Sequence, residues 1–185
     1  MLQRKRNRLK EFDYSQTGYY FITICTDGMI EYFGNIQNSE MQLNTYGNIV
    51  LNKLKELSNR YSYTELDEFV IMPNHVHVIM IIDNFSVGVG TALEPSDNKL
   101  NVNGTGRDLS LQKQIKTKSL SELIGVFKTT SSKEIHQMGL INFKWQRSFY
   151  DRVVRNEKEL YQIRKYIRQN PLKWEIEKDL DNLDI

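Results

Sequence analysis

Apolar residues crowd most densely into Phe69–Ile82, and the rest of the hydrophobic pattern falls into shorter blocks on either side of it. From His75 to Ile82 every position is apolar except two histidines, which predicts a strand buried on both faces. Pro73-Asn74 interrupts the run, so a strand centred on Leu66–Ile71 and the one from His75 to Ile82 form an antiparallel hairpin. Tyr19–Thr26 is rich in aromatic and β-branched residues and predicts an earlier buried strand. Glu31–Leu43 is ambiguous between short strands and loop around Gly34. Asn44 or Thr45 caps a helix to about Asn59, with Val50, Leu51, Leu54 and Leu57 as its apolar stripe. Ser119 and Glu122 form a capping box for a helix to about Met138, whose stripe is Leu120, Leu123, Ile124 and Phe127. Ser148–Val154 predicts a last strand. Asn156 caps a final helix over Glu157 to about Gln169, with Leu160, Ile163 and Ile167 inward and Asn170-Pro171 as its stop.

The order β-α-β-β-α-β-α predicts an α+β sandwich, an antiparallel sheet with helices packed on one face. Residues 1–18 read as a basic arm, 19–174 as one catalytic domain and 175–185 as an acidic tail. Phe85–Lys118, with four glycines and few large apolar residues, reads as a long mobile loop inserted into the domain. There are no internal repeats.

Composition changes the picture in three places. The net charge over 185 residues is only +2, but it is unevenly spread. Arg4, Lys5, Arg6, Arg8 and Lys10 open the chain without an acid, and Glu175, Glu177, Asp179, Asp181 and Asp184 close it. The basic start is either a DNA-binding arm or a solvated terminus. Cys25 is the single cysteine, which excludes an intramolecular disulfide and a cysteine-based zinc site. No apolar run reaches the roughly 20 residues of a membrane span, and no apolar segment follows the basic start as in a secretory signal. The expectation is a cytoplasmic protein.

His75 and His77 lie two apart in a strand, so both imidazoles share one face. Burying them is costly unless something pairs with them, and a divalent metal is the obvious partner. The alternative is a pair of half-exposed or hydrogen-bonded core histidines. On the last helix Gln162, Tyr166 and Asn170 share a face bordering the buried stripe. Packing there could hold Tyr166 firmly while its hydroxyl meets a site, and the Asn170 amide oxygen could be a hard metal ligand. Tyr166 is one of ten tyrosines, most of which serve packing or surface. With a metal polarising a phosphodiester, a tyrosine can be the nucleophile that cuts and keeps the bond energy for rejoining. Lys128 and Lys133, among threonines and serines on the second helix, are phosphate-contacting types or a solvated face.

Pro73-Asn74-His75-Val76-His77 resembles the His-hydrophobic-His motif of single-tyrosine HUH endonucleases. Tyr166-Ile-Arg-Gln-Asn170-Pro171 resembles the tyrosine helix of IS200-like transposases, most of all their REP-associated tyrosine transposase branch. Tyr20–Thr23, Phe69–Asn74, Trp145-Gln146, Phe149–Asp151 and Arg155–Glu157 are also similar to that branch. The resemblance covers most of residues 4–174 but not the 85–118 insertion. It implies a ferredoxin-like core, with Mg²⁺ or Mn²⁺ held by His75, His77 and Asn170. It also implies Tyr166 as a nucleophile that leaves a 5′-phosphotyrosine and a 3′-hydroxyl on single-stranded DNA. Tyr150 is the rival nucleophile. The implied partner is hairpin DNA with single-stranded flanks, for which Arg4, Lys5, Arg6 and Arg8, and Lys128 and Lys133, are candidate contacts. Trp145 either stacks on a base or is a buried structural residue. Such a protein acts as a monomer or homodimer. A hairpin-binding protein without catalysis, or a structural metal-binding domain, would carry much of the same pattern.

Overall fold

The computed structural model describes residues 13–83 and 117–183. The expected N-terminal contacts Arg4, Lys5, Arg6 and Arg8, and nearly all of the 85–118 insertion, lie outside the described residues. Strand β1 (Gly18–Cys25) is followed by a short hairpin of β2 (Gly34–Gln37) and β3 (Glu40–Leu43). Helix α1 (Thr45–Arg60) leads to β4 (Thr64–Ile71) and β5 (His75–Ile82); α2 (Leu120–Gln137), β6 (Tyr150–Val154) and α3 (Glu157–Leu183) complete the chain. The four long strands form one antiparallel sheet in the order β4-β5-β1-β6. Without the extra hairpin and the last helix this is the β-α-β-β-α-β ferredoxin-like arrangement that the resemblance implies.

Local chemistry explains the helix starts. The Asn44 side chain accepts from the Gly47 N–H, and Ser119 and Glu122 form the reciprocal capping box. The sheet then sorts its side chains by alternation. Tyr20, Ile22, Ile24, Val76, Val78, Met80 and Ile82 meet Val50, Leu54 and Leu57 of α1 and Leu120, Leu123, Ile124 and Phe127 of α2 in the main core. Ile79 turns to the other side, where it packs with Leu160, Ile163 and Ile167 of α3, flanked by Phe21 and Val70.

The helices therefore do not share one face as expected. Two cover one side, and α3 covers the other. A stripe such as Leu160-Ile163-Ile167 says that a helix is buried, but both sheet faces are apolar enough to receive it. The end of α3 also differs from expectation. It passes through Pro171 and runs to Leu183. Proline forfeits a backbone hydrogen bond in a helix interior, but long-range contacts hold the following turns. Glu175 accepts from the Ser39 N–H and Oγ–H at 2.7 and 2.8 Å, and Lys178 pairs with Glu31. No described helix is long and apolar enough to cross a membrane.

Candidate active site

His75 and His77 enter the interior from β5 on the α3 side of the sheet, 8% and 5% exposed. Each ring is held by its Nδ1. The Nδ1 of His75 lies 2.7 Å from Asn74 Oδ1, and that amide is oriented because its Nδ2 donates to the Met29 carbonyl. An amide oxygen only accepts, so His75 carries its proton on Nδ1 and its Nε2 is bare. The Nδ1 of His77 lies 2.8 Å from Thr23 Oγ1, directly across the β1–β5 pairing. A hydroxyl can donate or accept, so Thr23 supports either tautomer of His77. The two Nε2 atoms face each other at 3.1 Å.

Helix α3 brings the rest. Its rotation on the sheet is fixed by Arg164, which makes two parallel 2.8 Å hydrogen bonds to the Asp67 carboxylate, and by Arg168 with Glu68. Between these anchors the Tyr166 hydroxyl lies 3.3 Å from His77 Nε2. The tyrosine ring packs edge-on against Phe21, and Phe21 also lies against the His77 ring. Tyr166 remains 39% exposed, so a polymer in solution can reach it. One turn further along, Asn170 is 7% exposed and lies beside His75, while the Trp174 ring covers His75.

Burial pushes the His75 imidazole down to about 4, against a smaller upward pull from neighbouring Asn170. Burial, with neighbouring His75 as a lesser cause, pushes His77 down to about 3. Both rings are neutral at physiological pH and their lone pairs are available. Among the described residues no group of three or more His, Cys, Asp or Glu side chains could hold a metal. The donor set here is two imidazoles and an amide. Its geometry suits an ion: ligands about 2.1 Å from an octahedral centre stand roughly 3.0 Å apart, against 3.1 Å between the Nε2 atoms. With Thr23 accepting from His77 Nδ1, both nitrogens that face the gap are bare. A mixed nitrogen–oxygen set suits Mn²⁺ better than Mg²⁺.

The structure thus brings His75, His77, Tyr166 and Asn170 together. Gln162, on the same helix face, is exposed. Tyr150 pairs with Thr23 at the start of edge strand β6 and shares the His77 side, but it sits two strands away, about 10 Å along the sheet. The remaining candidates lie elsewhere. Trp145 is 9% exposed among Phe33, Phe127 and Phe143, and its Nε1–H donates to Ser131 Oγ, so it is a structural residue. Lys128 donates to the carbonyls of Gln146 and Ser148. Lys133 is exposed. Thr23, Asn74 and Trp174 were not anticipated as site residues. The signal for Thr23 is its polarity inside the apolar run of β1, and for Asn74 its place beside His75.

No family model matches the chain. An uncharacterized protein of Haemophilus influenzae is 34% identical over 172 residues, 93% of this chain and 90% of that protein. Among solved structures, a REP-associated tyrosine transposase bound to a REP hairpin superposes with a TM-score of 0.53 and 18% identity, over 90% of this chain and 73% of that one. A Deinococcus radiodurans protein provisionally described as a transposase aligns at a TM-score of 0.45 and 12% identity, over 86% of this chain and 95% of that one, too loosely to carry weight. The chain belongs to the same family as the Haemophilus influenzae protein, and it has the fold of a REP-associated tyrosine transposase.

Proposed function

We propose that this protein is a divalent-metal-dependent single-stranded DNA endonuclease and strand transferase, with Tyr166 as nucleophile and His75, His77 and Asn170 as metal ligands. One observation carries the reading: a half-exposed tyrosine hydroxyl stands 3.3 Å from one of two buried, neutral histidines whose Nε2 atoms converge. A bound Mn²⁺ or Mg²⁺ would supply Lewis-acid stabilisation to the phosphate under attack. The chain's own groups account for the rest. Tyr166 Oη forms a bond to phosphorus as the P–O3′ bond breaks, and its proton passes to water at the open side of the ring. The 3′ oxygen takes up a proton and leaves as a hydroxyl, and the 5′ phosphate stays on the tyrosine. Attack by a second 3′-hydroxyl reverses the step and restores the phenol. Anchoring of α3 through Arg164 and Arg168 holds the phenol in position, which lowers the entropic cost of attack. All four residues come from one chain, which supports action within a single subunit. The likeness to a protein solved with a REP hairpin supports hairpin DNA with single-stranded flanks as the partner.

The test is a denaturing gel after incubation with labelled hairpin oligonucleotides and Mn²⁺. A covalent protein–DNA band should form, persist in Tyr150→Phe and disappear in Tyr166→Phe. A band that survives Tyr166→Phe and vanishes in Tyr150→Phe would transfer the nucleophile to β6.

A further inference from the structure

Helix α3 carries Tyr166, Asn170 and Lys173 at i, i+4 and i+7, so the lysine shares a face with the proposed nucleophile and the third donor. Its ammonium lies over the Tyr166 ring, 5.3 Å from the ring centre. The side chain is exposed, and it takes part in no ion pair among the described residues. Arg164, Arg168 and Lys178 of the same helix are committed, to Asp67, Glu68 and Glu31. Lys173 is thus an uncompensated cation held beside the phenol, and the mechanism above gives it no part.

The fold holds it there. The turn that follows Pro171 is fixed from the far side by Glu175 on Ser39 and by Lys178 on Glu31. Within that turn Trp174 lies against His75 and Lys173 against Tyr166, so two successive residues overhang the site. Phe21, the His77 ring and the Lys173 ammonium together surround the Tyr166 ring. A phosphate bonded to Tyr166 Oη projects from the edge of a ring that the ammonium already covers. Rotation about the flexible four-carbon stem brings the ammonium to a non-bridging oxygen of that phosphate. The charge argument has the same direction. A phosphodiester carries one negative charge, and more gathers on its oxygens as Oη bonds to phosphorus before the 3′ oxygen has left. A cation fixed at those oxygens stabilises the attack more than it stabilises bound DNA. Lys173 forms no covalent bond in this step and gives up no proton.

We propose that Lys173 is a further catalytic residue, whose ammonium binds a non-bridging oxygen of the phosphate that Tyr166 attacks. The inference rests on the proposed role of Tyr166 and adds a group to it. The test is single-turnover adduct formation by the full chain at saturating Mn²⁺ and saturating hairpin oligonucleotide with a single-stranded flank. Lys173→Met, which keeps a stem to pack on the ring, should slow the reaction by about 100-fold. Lys173→Arg should recover most of the rate, and Lys165→Met, which removes another exposed cation of α3, should react as the wild type. Mn²⁺ affinity of Lys173→Met by electron paramagnetic resonance should equal that of the wild type. Sulfur in place of each non-bridging oxygen of the scissile phosphate in turn reports the contact itself: one isomer should narrow the gap between wild type and Lys173→Met, and the other should not. Adduct formation by Lys173→Met at the wild-type rate, weakened Mn²⁺ binding, or the same gap for the oxygen linkage and both sulfur isomers would each overturn the proposal while leaving Tyr166 as nucleophile. No adduct with the wild type, or one that survives Tyr166→Phe, would remove the nucleophile and the proposal together.

Discussion

Thr23 offers the sharpest perturbation, because the chemistry of His77 passes through it. Thr23→Val preserves shape and strand preference while removing the hydroxyl 2.8 Å from His77 Nδ1. With no acceptor for an Nδ1 proton, the imidazole favours Nε2–H, and the nitrogen facing His75 is no longer bare. Loss of such an orienting partner costs about 10- to 100-fold in metal affinity, equivalent to roughly 1.4–2.7 kcal/mol. Stability should fall by about 1 kcal/mol for the lost hydrogen bond, a Tm shift of about 2–4 °C for a chain of this size. Electron paramagnetic resonance of free Mn²⁺ gives the affinity without any DNA, and thermal unfolding gives the second number. Thr23→Ser, which retains the hydroxyl, should bind Mn²⁺ within a few-fold of the wild type. If Thr23→Val binds Mn²⁺ as tightly as Thr23→Ser does, the hydroxyl does not set the His77 tautomer and the reasoning fails.

The same structure sets four further outcomes. Both histidine pKa values are depressed to about 4 and 3; the unfolded chain therefore binds protons first, and stability should decline as pH drops below about 6.5 towards 3. Denaturant titrations at several pH values should show this decline flattened in His75→Gln/His77→Gln. Gly47→Ala should destabilise by about 1–3 kcal/mol despite alanine's helix preference, because its Cβ would fall 2.2 Å from the Phe33 carbonyl oxygen; a gain in Tm would refute this. Glu175→Gln weakens two charge-assisted bonds to Ser39 and should cost about 1 kcal/mol, with Mn²⁺ affinity in the EPR titration unchanged. Chelation by EDTA should abolish the covalent adduct on a denaturing gel, and excess Mn²⁺ should restore it.

Much of the fold was legible because local signals agreed with the tertiary result. Asn44 and Ser119 cap the helices they were expected to cap, and β5 occupies the residues marked by its apolar run. Spacing put the two histidines on one strand face and Tyr166 with Asn170 on one helix face, but it left ordinary packing open for each, and the resemblance to tyrosine transposases is what singled them out. What escaped depends on partners far away in the chain. Pro171 reads as a stop, but α3 continues because Glu175 reaches Ser39, 136 residues earlier, and Trp174 covers His75. The side of the sheet that α3 covers was likewise hidden, since His77 and Val78 are equally buried while pointing opposite ways. Trp145 was open between base stacking and burial until three phenylalanines were found around it.

The central claim is that the Tyr166 hydroxyl becomes joined to DNA phosphate beside His75 and His77. Mass spectrometry of the proteolysed adduct, formed with Mn²⁺ on a hairpin oligonucleotide carrying a single-stranded flank, tests it directly. The account predicts a nucleotide mass on the peptide containing Tyr166, absent when EDTA replaces Mn²⁺. The same mass on the peptide containing Tyr150, or an adduct that forms equally well in EDTA, would contradict it.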